Sequence, residues 1–226
     1  MHATGIEGAR EARGIAVVID VLRSFTVSAY ALAGGARECR LVTTTDEARA
    51  LAASIPGALV SAEENALPLP GIAISNSPTQ ITAADLKDRV LVQRSTAGTQ
   101  VAAAVRDGVV IFAASLVVAR ATVQACLSRR PAHVTLIASA DHPEDHACAL
   151  YMEAVIRGEA PDAHRLLQGL RDSERYARAM SGSWPGFPPT DLDLSLIPDR
   201  FNFAMPAVRE AGHLRLTRSD QPPANG

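Results

Sequence analysis

Short runs of aliphatic and β-branched residues alternate along the chain with longer, Ala-rich stretches whose polar positions recur at helical spacing. The runs fall at 15–21, 40–43, 58–61, 89–93, 109–113 and 133–138, and the amphipathic stretches at 24–33, 46–54, 99–106, 116–129 and 143–157. Such alternation predicts βαβ units and hence a three-layer α/β/α fold around a mainly parallel or mixed sheet. Thr44 with Glu47 has the form of a capping box, which marks the start of the second helix. A more polar helix is predicted over about 162–180.

Two stretches break the rhythm. Residues 67–82 (LPLPGIAISNSPTQIT) are rich in Pro, Gly and Ser and read as a loop or irregular strand, not a regular helix. A second break at 183–189 (SWPGFPP) suits a lid or a subunit contact, and alternating Asp and Leu follow it before Pro206. The whole reads as one α/β domain over 1–226, with a two-lobed division near 67–88 left open and a flexible tail over 219–226.

Composition narrows the class. A chain of 226 residues that is 47% hydrophobic and 20% charged can bury a proper core, which excludes disordered and collagen-like readings. Aromatics are only 4%, so the core is built from Val, Ile, Leu and Ala. A net charge of -2 gives no bulk attraction to nucleic acid or anionic lipid, and neither is expected as a partner. Cys39, Cys126 and Cys148 are odd in number and widely spaced, which argues against a disulfide framework or zinc knuckle and for a reduced cytoplasm. The first apolar run is broken by Asp20, so neither a signal peptide nor a membrane span is expected.

Ligands of open α/β sheets collect beyond the carboxyl ends of strands, so the strand-to-helix junctions are where chemistry is expected. After the first run, Asp20, Arg23 and Ser24 place a carboxylate, a guanidinium and a hydroxyl at a helix start. They suit an oxyanion seat with Arg23 as clamp, or equally a plain Asp20–Arg23 pair with Ser24 as cap. After the fourth run, Arg94, Ser95, Thr96, Ala97, Gly98 and Thr99 form a small, hydroxyl-rich turn that can cradle a phosphate or simply cap a helix. It lacks the spacing of a P-loop. After the sixth, Glu144 and Asp145 open a helix behind Pro143 and can hold Mg²⁺ or serve the helix dipole; a structural role is expected for His142 and His146. Glu63 follows the third run, and Asn76 and Ser77 precede Pro78.

In this order the pieces resemble the 2-phosphosulfolactate phosphatase family, Mg²⁺-dependent hydrolases named for a step of coenzyme M biosynthesis. The resemblance runs from about residue 15 to 206 and rests on VVIDVLRSFT, on Glu63 through Gly71 to Asn76-Ser77-Pro78, on STAGT at 95–99, and on Glu144-Asp145. Ser75, Gln80, Ala97 and Leu150 stand where the family pattern leads one to expect Gly, Glu, Asn and Gly.

The resemblance implies a cytoplasmic Mg²⁺-dependent phosphatase of a small phosphorylated acid. Asp20, with Glu144 or Asp145, would hold the metal; Arg23, Ser24, Ser77, Arg94, Ser95, Thr96, Gly98 and Thr99 would bind substrate and phosphoryl oxygens. Glu63 and Asn76 would join Asp20 and Arg23 in catalysis by orienting water or substrate. A phospho-aspartyl route of the Asp-x-Asp kind would need an aspartate where the chain has Leu22, so metal-activated water is the simpler expectation. A homodimer is the default for an enzyme of this size. The four departures also motivate a rival, a phosphate- or sulfonate-binding protein without turnover. A nucleotide-dependent transferase ranks last, because no Gly-x-Gly-x-x-Gly follows the first run.

Overall fold

The computed structural model describes residues 1–220. Its strands are β1 (His2–Thr4), β2 (Ile15–Ile19), β3 (Glu38–Leu41), β4 (Leu59–Glu64), β5 (Leu67–Pro68), β6 (Val90–Arg94), β7 (Val110–Ala114), β8 (Val134–Ala138), β9 (Phe203–Glu210), β10 (His213–Leu216) and β11 (Ser219–Asp220). The helices are α1 (Gly5–Glu11), α2 (Ser24–Ala33), α3 (Thr45–Ala53), α4 (Pro78–Thr82), α5 (Gly98–Ala104), α6 (Ala119–Leu127), α7 (Pro143–Ile156), α8 (Ala163–Leu166), α9 (Gln168–Arg171), α10 (Glu174–Met180) and α11 (Thr190–Ser195). A 3₁₀ turn at Leu116–Val118 leads into α6.

The strands form one mixed sheet in the order β1-β8-β2-β7-β9-β10-β3-β6-β4-β5, with β11 paired to β9. Two parallel blocks, β1-β8-β2-β7 and β3-β6-β4, are joined through the antiparallel hairpin β9–β10. Three successive antiparallel pairings separate β7 from β3, so the blocks run in opposite senses along the sheet.

Every residue of β2 is buried, as its unbroken apolar run requires of a strand covered on both faces. Ala16 and Val18 point to one core with Phe25, Val27 and Val101 from α2 and α5. Ile15, Val17 and Ile19 point to the other with Val123, Cys148 and Met152 from α6 and α7. Helices therefore cover both faces, the three-layer arrangement expected from the sequence. The capping box is present as predicted: Glu47 N donates to Thr44 Oγ1 at 3.1 Å and the Thr44 N–H donates to Glu47 Oε2 at 2.9 Å. Cys39, Cys126 and Cys148 are free and buried.

Three expectations are corrected. The stretch 162–180 is three short helices, because Leu167 and Asp172–Ser173 interrupt it and Asp162 and Ser173 each cap a new start. The stretch 67–82 is not all loop, since Pro78 occupies the first turn of α4 and Ser77 caps it, which is where proline suits a helix. Ser219 and Asp220 are not a loose tail but pair with Ala204 and Phe203; the rest of the predicted tail, 221–226, lies outside the described residues. Among the described residues no helix is long and apolar enough to cross a membrane.

Candidate active site

Asp20, Glu63, Asn76, Arg23, Ser95 and Thr96 line one cavity of about 320 Å³, whose wall also includes Leu22, Asn65, Ala66, Ala97, Ser139, His142, Arg175, Trp184 and Phe187. The wall draws on both parallel blocks: Asp20 and Ser139 follow β2 and β8, while Glu63 belongs to β4 and Ser95 follows β6. In a flat sheet, β2 and β6 would lie roughly 24 Å apart at ordinary strand spacing. Yet a Cβ added at Gly98 would sit 2.6 Å from Asp20 Oδ2. The sheet is therefore coiled by its twist, which carries the carboxyl ends of the two blocks to a common crevice. A larger cleft of about 950 Å³, near Arg13 and His133 at the amino ends of the strands, contains none of the predicted site residues.

Asp20 is held by the start of α2, whose Ser24 N–H donates to Oδ1 at 2.9 Å. Burial pushes its carboxyl up to about 6; the Ser24 N–H pulls the other way, and the Glu63 charge adds to the rise. Arg23 is also buried, with Nη1 donating to Gly186 O at 2.5 Å and Asp191 Oδ2 at 2.8 Å. Burial lowers its pKa and Asp191 raises it. The guanidinium lies 4.2 Å from the Phe187 ring centroid. The Leu22–Arg23 peptide is cis. The simple Asp20–Arg23 pair is not formed, since Arg23 turns to Asp191 instead.

The other predicted residues divide by task. Glu63 is fastened through its carboxylate, Oε1 accepting from Thr96 N at 2.6 Å and Oε2 from Ala66 N at 2.5 Å. Asn76 takes the left-handed conformation at φ 58°, which asparagine tolerates, and its Oδ1 accepts from Gln93 Nε2 at 3.0 Å. Gln93 also donates to Ser24 O, so the junctions that follow β2 and β6 are locked together behind the cavity. Ser77 donates to Asp191 Oδ1 at 2.7 Å. Ser95 and Thr99 satisfy one another: Thr99 N donates to Ser95 Oγ and Ser95 N to Thr99 Oγ1, both at 3.0 Å. Thr96 Oγ1 donates to Glu63 and accepts from Asn65 N. These hydroxyls hold the turn in shape, and the turn presents Ser95, Thr96 and Ala97 to the cavity. Arg94 is directed away, to the carbonyl of Glu63 and toward Glu64.

Glu144 and Asp145 lie behind the wall. Asp145 accepts from Val21 N at 2.8 Å and Ser139 Oγ at 3.0 Å, and burial, with Asp20 and Glu144 beside it, raises its pKa well above the ordinary range. Glu144 Oε1 accepts from Arg175 Nε at 2.9 Å, and Oε2 is buried with no hydrogen-bond partner among the described residues. Arg175 Nη2 donates to Leu22 O at 3.2 Å. Of the histidines, His142 lines the cavity, with its pKa lowered by burial and then by Arg175, whereas His146 turns outward to Asp141.

Sequence reasoning missed Arg175 and Asp191. Both act across more than a hundred and fifty residues of chain, on Leu22 and Arg23, and neither sits in a local motif. The aromatic pair at 183–189 was noticed, and the structure buries it within the chain: Trp184 and Phe187 stack at 5.2 Å and 27° as part of the cavity wall.

The family model for 2-phosphosulpholactate phosphatase matches residues 3–183. A probable 2-phosphosulfolactate phosphatase of Bacillus subtilis is 33% identical over 171 residues, 72% of this chain and 74% of that protein. Proteins of the same description from Synechococcus sp. CC9605 and Deinococcus radiodurans are 33% and 36% identical over 55% and 38% of this chain, which span 52% and 35% of their own lengths. With the family model covering most of the chain, including every predicted site residue, the protein belongs to the 2-phosphosulfolactate phosphatase family.

Proposed function

We propose that the protein hydrolyses a small acidic phosphate monoester of the 2-phosphosulfolactate type, with Mg²⁺ as cofactor, releasing inorganic phosphate and the corresponding 2-hydroxy acid. The observation that carries this reading is Asp20: a buried carboxyl pushed up to about 6, in the wall of a cavity it shares with Arg23 and the 95–99 turn. A buried carboxyl in a cleft beside an oriented guanidinium supports a site for phosphoryl chemistry.

The residues fit a hard divalent cation. Asp20, Glu63, Glu144, Asp145 and Asp191 outnumber Arg23, Arg94 and Arg175 around the site, and Glu144 Oε2 is buried without a partner. A phosphoryl dianion entering such a cavity needs further positive charge. Among the described residues no group of three or more His, Cys, Asp and Glu side chains is assembled for a metal, so the proposed Mg²⁺ would be held by one or two carboxylates, with waters and substrate phosphate completing its oxygen ligands. Asp20 would hold it, with Glu63 across the cavity, while Asp145 and Glu144 would contribute charge from behind. When bound, Mg²⁺ supplies Lewis-acid neutralisation of phosphoryl oxygens.

Arg23 is pre-oriented by Asp191, Gly186 and Phe187 to clamp an oxyanion without reorganising. Asn76, held by Gln93, orients the substrate from the opposite side. Leu22, Ala66, Trp184 and Phe187 make part of the wall apolar, which strengthens polar contacts made against it. Retained turnover is favoured over the binding-protein rival by where the departures fall. Gln80 Oε1 accepts from Ser75 N at 2.7 Å, so these two bind each other, and Leu150 is exposed on α7. Of the four, Ala97 is the one on the cavity wall. A cytoplasmic homodimer serving coenzyme M biosynthesis is the accompanying proposal.

The test is phosphate release from a panel of small phosphorylated acids, including 2-phosphosulfolactate, with Mg²⁺ and again in EDTA. Release from these acids, lost in EDTA and restored by Mg²⁺, is expected. Release untouched by EDTA would remove the metal. No release by folded protein that binds the same compounds would establish the binding protein instead.

A further inference from the structure

Two guanidinium groups reach the cavity, and a stacked aromatic pair sets them apart. Arg23 lies over Phe187, Phe187 stacks on Trp184, and the Arg175 guanidinium lies 5.4 Å from the Trp184 centroid. The two are built differently. Arg23 rises from the β2–α2 junction beside Asp20, whereas Arg175 comes from α10, outside the strand junctions. Its Nε is engaged by Glu144 and its Nη2 by Leu22 O, and among the described residues Nη1 has no hydrogen bond. Arg178 stacks on the same Trp184 ring at 4.4 Å, so the aromatic wall behind Arg175 is itself braced.

Arg23 and the 95–99 turn stand beside Asp20 for a phosphoryl group. Arg175 also reaches the neighbourhood of Asp20, donating to Leu22 O and pulling the Asp20 pKa down, but the Phe187–Trp184 stack separates it from Arg23 and gives the cavity a second cationic position. Resting on the phosphatase reading above, we infer that Arg175 determines specificity by binding a second oxyanion of the substrate, a carboxylate or sulfonate on the carbon skeleton that carries the phosphate. Glu144 fixes the orientation of the fork without occupying Nη1, and the low polarity of Trp184 strengthens the contact. The site thus selects compact phosphate esters that carry a second acid over neutral phosphate esters.

The experiment compares three probes of similar size: 2-phospholactate with a carboxylate, 2-sulfoethyl phosphate with a sulfonate, and isopropyl phosphate with neither. Wild-type protein is expected to prefer both acidic probes in kcat/KM, and the acid-over-neutral ratio is expected to collapse by about 10- to 100-fold in Arg175→Met. Removing Arg175 leaves Glu144 buried and unpaired, so the double variant Arg175→Met/Glu144→Gln is measured alongside. Arg175→Lys, which keeps charge but not the fork, is expected to fall between. A preference confined to one acidic probe would assign Arg175 to that oxyanion. An equal loss on all three probes would overturn the inference and leave Arg175 structural. Calorimetric binding of the same probes is read in parallel. Wild-type protein that turns over none of them sinks the phosphatase reading, and an acid preference in binding that survives in Arg175→Met sinks the role of Arg175.

Discussion

The Asp20 carboxyl is pushed up to about 6 in the fold from an ordinary 3.8, by burial and then by Glu63. The folded state thus holds this proton more tightly than the unfolded chain does. Its contribution to stability is full below pH 3.8, is lost as pH rises through about 6, and leaves the ionised carboxylate costing on the order of 3 kcal/mol at higher pH. Asp20→Asn removes the charge and keeps an oxygen for the Ser24 N–H. In EDTA at pH 8 the variant is expected to melt roughly 5–10 °C above wild type, with the gain shrinking toward pH 5, while hydrolysis is abolished. Calorimetry at both pH values checks this, and an equal gain at the two would mean packing, not charge. Retained turnover would remove Asp20 from the chemistry. Asp20 was legible because a carboxylate closing a buried strand run is rare without a purpose. Asp191, also buried, was not: it stands in an Asp–Leu alternation whose neighbour Asp193 is exposed, and no local pattern tells the two apart.

Among the elements, the turn from β6 into α5 shows what a motif reveals and what it conceals. Small residues and hydroxyls at 95–99 mark a tight junction, and the structure folds them into one in the wall of the candidate site. That Ser95 and Thr99 would close on each other, leaving shape more than donors, depends on three-dimensional pairing. Gly98 has an ordinary φ, so its requirement is spatial: a side chain there would meet Asp20 Oδ2 at 2.6 Å and Ser24 at 3.0 Å. Gly98→Ala is expected to displace the Asp20 carboxylate and lower kcat/KM by at least about 100-fold, at a stability cost of about 1–3 kcal/mol. Kinetics beside urea unfolding check this; near-normal turnover would mean that the turn and Asp20 need not touch. The hairpin β9–β10 escaped the sequence reading for a different reason. Pro206 cannot donate to a ladder, and a proline normally argues against a central strand, yet it sits opposite Phe112 in the middle of the sheet.

At the scale of the whole molecule, the hairpin is what makes one site out of two parallel blocks. The local βαβ rhythm predicted each block, but not that they run in opposite senses or that the twist between them brings Glu63 and Gly98 to Asp20. That depends on β9 and β10, which follow both blocks in the chain. Leu214 and Leu216 of β10 are buried in the same core as Phe25, Val101 and Leu91, so the hairpin shares its packing with both blocks. The blocks should therefore unfold together and not lobe by lobe. Trp184, the only tryptophan of the chain, stands in the cavity wall and reports on the site, while circular dichroism reports on the sheet and helices. Urea transitions followed by the two signals are expected to coincide, and Leu216→Ala is expected to move both to lower urea together by a loss of about 2–4 kcal/mol. A fluorescence transition that precedes the loss of secondary structure would show instead that the segment from α8 to α11 opens before the sheet. The wall carrying Trp184, Phe187 and Arg175 would then be a separable cover, and the coiled sheet alone would hold Asp20 and its partners in place.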